Sequence, residues 1–379
     1  MNAIELRSRP YAFEPGQQMP DASADAAVAS AARSVLVPLL QQLTPPFDNA
    51  ACIKPAVDGV QADYAAALAT VPDNIAKTQG ITLGQAAAAA ILALRDGDGS
   101  TTPLLDFNYP QGTEPGEYRF TSPDTLPFVF APGWADVTPF VLRDGSQFRP
   151  RKPLRIDSRQ YTKEFNEVKR LGGDGVTTAS DRTAEQTEIA LFWVESSPLA
   201  WNRLARSVSA GEHLDLWDNA RLFGLLNIAM ADGYISSFDA KRFYNFWRPI
   251  TAIRLAETDG NSATAADPTW TPLRETPPIT DHDSGHAVEG GAAAEVLAEF
   301  FGTDDVAFDA CSMTLDSGST CIDASPVVRS FDSFSEAADE NGESRVLVGF
   351  HFRHAVDEGI RHGRRIGHRA FKYLREVHH

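Results

Sequence analysis

The sequence has no long apolar run. No stretch of about 18 apolar residues occurs in its 379 residues, so no membrane span is expected. Met1–Pro20 has neither the apolar core nor the pattern of a signal peptide, which leaves a cytoplasmic protein or one whose leader has been removed, the latter periplasmic or secreted. Positive charge is short: 34 Lys and Arg stand against 51 Asp and Glu, for a net charge of -17. That balance argues against nucleic acid or an acidic membrane surface as partner. Period-2 alternation is not sustained anywhere, so strands are expected to be scarce, and no internal repeat stands out. Cysteine is nearly absent, with three in the chain. Cys311 and Cys321 bracket a Ser/Thr/Gly/Asp-rich loop, Ser312–Thr320. A bridge there would contribute roughly 2–3 kcal/mol, and the sequence leaves it open. Cys52 is then a small apolar side chain, and His378-His379 is either native or the stub of a tag.

What is present is a large core and helical periodicity. The chain is 43% hydrophobic and 22% charged, enough to bury a sizeable interior. The expected organisation is one helical domain over 1–379, with N-terminal helices in 21–96, a long ordered loop region in 97–157, and a helical core in 158–376. Asp21 caps a first helix over 21–44, Val57–Ala69 gives a second and Asp73–Arg95 a third. Asp96-Gly97-Asp98-Gly99-Ser100 hints at a calcium loop but lacks the required glycine and glutamate, with Thr101 and Phe107 in their places, so it reads as a turn. Helical pattern resumes over 158–171, 180–194, 198–209 and 213–241, then at 285–301, 330–339 and from about 343 to 376 with a break near Arg353. Residues 302–328 read as loop.

Three segments carry chemistry. Lys241 and Arg248 are seven residues apart, which on a helix returns them to within about 20° of one face, roughly 10 Å apart. Pro249 is expected to end that helix. Ser284-Gly285-His286 opens an Ala-rich helix, where glycine permits close backbone approach and free N–H groups favour an anion. Ser284 adds a hydroxyl or caps the helix; no Gly-x-Ser-x-Gly elbow is present. Arg345 offers a bidentate fork, and His351, six residues on, a ring nitrogen. Each segment alone also reads blandly, as a basic stripe, an N-cap or a packed histidine. Residues 341–379 carry eight Lys or Arg against four Asp or Glu, and six of the nine histidines, so an anion is welcome near the C-terminus.

Taken in order, Lys-x6-Arg-Pro, Ser-Gly-His and Ser-Arg-x5-His resemble the signature shared by vanadium-dependent haloperoxidases and the type 2 phosphatidic acid phosphatase superfamily. Gly84-Gln85 with its Ala-rich helix, Arg182-Thr183-Ala184-Glu185-Gln186-Thr187, Phe246-Trp247-Arg248-Pro249 and Phe350-His351-Phe352-Arg353-His354 resemble bacterial haloperoxidase-like sequences. The resemblance implies an all-α multi-helix bundle holding vanadate, with phosphate able to take the same place. It implies His351 as the ligand on the metal, and Lys241, Arg248, Ser284, Gly285 and Arg345 as donors to the vanadate oxygens. His286 would be the catalytic acid–base group, and Lys241 a second catalytic residue drawing electron density from peroxide. The implied reaction is oxidation of a halide ion by hydrogen peroxide to hypohalite, which halogenates a small organic acceptor. A homodimer is left open. The alternative within the superfamily is an acid phosphatase working through a phosphohistidine at His351. Such phosphatases place an Asp four residues after that histidine. Here the position is Ala355, which counts against the phosphatase and leaves open what orients His351. Asp283 replaces the usual Pro before Ser-Gly-His. With His282 it either alters the charge felt by a halide or is a loop polar residue. A non-catalytic phosphate-binding scaffold would have little use for His286 and His351 together.

Overall fold

The computed structural model describes residues 1–14, 16–43, 46–122 and 124–374. Residue 44 and residues 375 and 376, where two expected helices end, lie outside these, as do His378 and His379. The chain gathers into two compact units, one comprising residues 1–104, 214–221 and 372–379, the other residues 105–213 and 222–371.

The first unit holds α1 (Ala24–Gln41), α2 (Ala50–Ala69) and α3 (Ile75–Leu94). Ser23, Asn49 and Asn74 cap them by accepting backbone N–H bonds from Ala26, Ala51 and Lys77. The cap of α1 is thus Ser23 rather than Asp21. Small residues bring α1 and α3 into close contact: a Cβ on Gly84 would lie 2.8 Å from Ala31 N and Ser30 Cβ. The Asp96–Ser100 segment is a turn, with Asp98 accepting from Ser100 N at 2.8 Å.

The second unit begins with irregular chain stiffened by a two-residue ladder, β1 (Leu105–Asp106) on β2 (Val129–Phe130). Asp232, fully buried, anchors the end of this stretch by accepting from the N–H groups of Phe140, Val141 and Leu142 at 2.5–3.0 Å. The helices here are α4 (Arg159–Leu171), α5 (Ala184–Phe192), α6 (Ser197–Gly211), the body of α7 (Leu216–Tyr244), α8 (Pro249–Arg254), α9 (Gly285–Phe301), α10 (Phe334–Leu347) and most of α11 (Arg353–Tyr373). Thr183 and Gln186 close a capping box on α5. Helix α9 packs against α6 and α10. Its small residues also meet α11 closely: a Cβ on Gly291 would lie 2.5 Å from Ile360 O. The all-α expectation holds. Among the described residues no helix is long and apolar enough to cross a membrane.

Two local expectations are corrected. Within 302–331 a short antiparallel pair forms, β3 (Phe308–Cys311) on β4 (Val328–Phe331), too brief to show a period in sequence. Its end is closed by the Cys311–Cys321 disulfide, with Cα atoms 5.3 Å apart. Cys52 is free and exposed. Second, Lys241 and Arg248 do not share one helix. Asn245 takes the left-handed conformation, with φ of 45°, and terminates α7. Phe246 bridges Glu117, and Trp247 N donates to Gly116 O at 2.9 Å. Pro249 therefore starts α8 rather than ending α7, as its fixed φ and missing donor favour.

Candidate active site

Four pieces of chain bring the predicted residues together. The last turn of α7 carries Lys241, and the residue before α8 is Arg248. The N-terminus of α9 supplies Ser284, Gly285 and His286, and α10 with the bend after it supplies Arg345 and His351. Ser284 N donates to Ala355 O at 3.0 Å, tying the start of α9 to α11. The bend after α10 depends on Gly349, whose φ is 85° and where a Cβ would lie 2.7 Å from Gly172 O. It lets the N–H groups of Phe350 and His351 both return to Arg345 O, at 3.0 and 3.2 Å, which aims His351 inward. Lys241, Arg248, Gly285, His286, Arg345 and His351 line one cavity of about 570 Å³. The separation of Lys241 and Arg248 onto different elements thus leaves their convergence intact.

The electrostatics are those of an anion site. Lys241, Arg248 and Arg345 are all buried. Lys241 Nζ donates to Thr280 O at 2.9 Å and Asp281 O at 3.1 Å, which uses two of its three protons. Burial, with Arg248 nearby, lowers Lys241 to about 7. Arg248 Nε donates to Ile279 O at 2.6 Å and Nη1 to Phe350 O at 2.9 Å. Arg345 makes one hydrogen bond, from Nη1 to Trp193 O at 2.8 Å; Nε and Nη2 have no partner among the described residues. Burial, then Arg248, lowers Arg345 to about 9. Ser284 occupies the N-cap position, yet its hydroxyl makes no cap bond and is buried without a partner among the described residues. A Cβ on Gly285 would meet nothing nearer than Ser237 Oγ at 3.9 Å, so the backbone at the helix start is open to a ligand.

The two imidazoles are set in complementary states. His351 Nε2 lies 2.8 Å from Arg248 Nη1, a donor, while Nδ1 lies 2.9 Å from Asp281 Oδ1. Oδ1 has no aligned hydrogen-bond partner, so the Asp281 contact is electrostatic. This assigns the His351 proton to Nδ1 and the lone pair to Nε2. Burial, then the surrounding Arg248, Lys241 and Arg345 charges, holds His351 well below the usual histidine range and therefore neutral. His286 Nε2 donates to Glu195 O at 3.0 Å, which leaves Nδ1 as the acceptor of that ring. Burial, then Arg345, holds it neutral as well.

Some site residues were not singled out from sequence. Asp281 is the acid facing His351, where the position four residues later is Ala355; its signal was the Asp281-His282-Asp283 run. Burial raises its carboxyl to about 7 against the pull of Arg248 and Lys241. Asp283 and His282 are both buried, so neither is a solvated loop residue. Asp283 accepts from Ser237 Oγ and from His362 Nδ1, each at 2.8 Å, and His362 Nε2 meets Ser236 Oγ at 2.8 Å. His282 Nε2 donates to Arg151 O at 2.7 Å.

This set of buried donors, with a neutral imidazole lone pair among them, fits a compact oxyanion such as vanadate. A family model described as the VCPO second helical-bundle domain matches residues 221–379. The vanadium chloroperoxidase of Curvularia inaequalis is 25% identical over 315 residues, 63% of this chain and 51% of that protein. The chain thus spans about half the length of this curated relative. Among solved structures, one titled as the first bacterial vanadium-dependent iodoperoxidase superposes with a TM-score of 0.73 at 26% identity, covering 99% of this chain and 87% of the other. A holo-type bacterial vanadium-dependent chloroperoxidase shares the fold, with a TM-score of 0.70 at 15% identity over 98% of this chain and 88% of the other. In sequence and fold the chain is thus similar to vanadium-dependent haloperoxidases, with the family model covering residues 221–379.

Proposed function

We propose that the protein is a vanadate-dependent haloperoxidase, catalysing H₂O₂ + X⁻ + H⁺ → HOX + H₂O, with the hypohalite then halogenating an organic acceptor. The observation that carries the proposal is that buried Lys241, Arg248 and Arg345, the last with two nitrogens unpartnered among the described residues, line one cavity with His286 and His351. Vanadate, when bound, supplies Lewis-acid activation of peroxide.

The chain's own groups do the rest. His351 would hold the group through Nε2, with Nδ1 turned to Asp281 at 2.9 Å and the ring kept neutral by burial and the cations around it. Arg345 would donate through Nε and Nη2, Ser284 through its hydroxyl, and Gly285 through its backbone at the positive end of α9. Lys241 keeps its third proton for the anion and, with Arg248 and Arg345, compensates its charge. His286 takes a proton at Nδ1, because Nε2 is committed to Glu195 O. The apolar wall of the cavity limits water around these groups.

Nothing in the comparisons points toward the acid phosphatase alternative. The test is to load the protein with orthovanadate and follow bromide- and peroxide-dependent bromination of a reporter, with p-nitrophenyl phosphate hydrolysis measured alongside. Bromination that requires vanadate is expected. Hydrolysis without bromination overturns the proposal.

A further inference from the structure

Most of the cavity is not needed by the reaction proposed above. An oxyanion, a peroxide and a halide together hold about eight heavy atoms, which at roughly 30 Å³ for a water-sized atom fill about 240 Å³. The cavity is about 570 Å³. The cavity therefore has room for a further guest beside them. The cavity wall is apolar and rich in rings, including Phe130, Trp134, Met230, Tyr234, Phe238 and Phe350. Trp134 meets Tyr234 edge-on, with centroids 5.8 Å apart at 88°, and Tyr234 lies 4.5 Å from Phe238 at 39°. Such a wall offers both ring faces and ring edges to a flat guest.

One carboxyl interrupts this wall. Glu289 stands one turn beyond His286 on α9, lines the same cavity and is 3% exposed. It has no ion-pair partner among the described residues, and an isolated carboxylate in such a setting is costly. Burial accordingly pushes it up to about 8, so near neutral pH it is a protonated group that can both donate and accept. The Ser197 hydroxyl lies close enough to temper that rise, yet it is not aligned for a hydrogen bond and is buried without a partner among the described residues. The anion machinery uses neither group.

We propose that the ring-lined wall around Glu289 is a binding subsite for the organic acceptor, selecting a flat, electron-rich aromatic molecule whose hydroxyl or N–H group is hydrogen-bonded by Glu289. The chemical step rests on the haloperoxidase reading; the binding does not. Hypohalite transfers its halogen as an electrophile: a C–X bond forms, the aromatic C–H bond breaks, and the released proton joins the departing hydroxide as water, ArH + HOX → ArX + H₂O. Electron-rich rings are the partners this step requires.

The test is isothermal titration calorimetry of the full chain at pH 6 with 2-naphthol and with naphthalene, which lacks the hydroxyl. Wild type is expected to bind 2-naphthol saturably and about tenfold more tightly than naphthalene, the worth of one buried hydrogen bond. Glu289→Leu is expected to bind both alike, and Glu289→Gln to restore the preference. Absence of saturable binding by wild type overturns the proposal, as does equal affinity for the two probes. A preference that survives Glu289→Leu does so too. If the preference depends on Glu289 but vanadate-loaded protein fails to oxidise bromide, the haloperoxidase reading falls while the aromatic subsite stands.

Discussion

Arg345 gives the account its least intuitive prediction. Its guanidinium is 1% exposed and, among the described residues, makes one hydrogen bond and has two nitrogens without a partner. Its fall from the ordinary arginine range to about 9, at about 1.4 kcal/mol per pH unit, places the cost of keeping it charged in the anion-free protein at about 5 kcal/mol. The penalty is fully present below pH 9, where the folded protein must carry the proton. Replacing Arg345 with Met keeps the apolar stem and removes the charge, but loses the bond to Trp193 O, worth about 1–3 kcal/mol. The net expectation is an anion-free variant about 2–4 kcal/mol more stable than wild type. An anion that binds the native state at a hundred times its Kd should stabilise wild type by about 2.7 kcal/mol and the variant scarcely at all. The assay is urea unfolding at pH 7 in phosphate-free buffer, with and without orthovanadate. A variant less stable than wild type that keeps the anion-dependent gain would refute the reasoning.

Three further outcomes follow from the same contacts. Asp281→Ala removes the carboxylate 2.9 Å from His351 Nδ1 and should weaken vanadate retention about 10- to 100-fold by equilibrium titration, with Asp281→Asn intermediate; unchanged retention removes its positioning role. Glu289 keeps a proton in the folded state that the unfolded chain has lost between pH 4.5 and about 8, so stability should fall as pH rises through that window, by up to about 5 kcal/mol. Glu289→Gln should flatten that fall in urea unfolding at pH 5 and pH 8; an unchanged slope contradicts the protonated assignment. Gly349→Ala must hold a φ of 85° and meet Gly172 O at 2.7 Å, so it should cost about 1–3 kcal/mol and misaim His351, read as lower stability together with weaker vanadate binding.

The convergence of Lys241, Arg248, Ser284, Gly285, His286, Arg345 and His351 was legible in sequence because the ordered spacing of charged and imidazole side chains survives the details of the backbone between them. The helix joining Lys241 to Arg248 was not, because periodicity has no sign for an asparagine turning left-handed, and Pro249 reads equally as a stop or a start. The β3–β4 pair escaped for want of length. Asp281 and Glu289 were hidden for a different reason. A carboxylate in a loop and a Glu on an Ala-rich helix look solvated until tertiary packing buries them, and only then do they acquire raised pKa values and a face on the cavity.

The most direct measurement is a crystal of the protein soaked in orthovanadate, with anomalous density collected at the vanadium edge. The account predicts one vanadium per chain bonded to His351 Nε2, its oxygens within hydrogen-bond reach of Arg345 Nε and Nη2 and of the Ser284 hydroxyl. Vanadium bound elsewhere, or none beside His351 at saturating concentration, contradicts it.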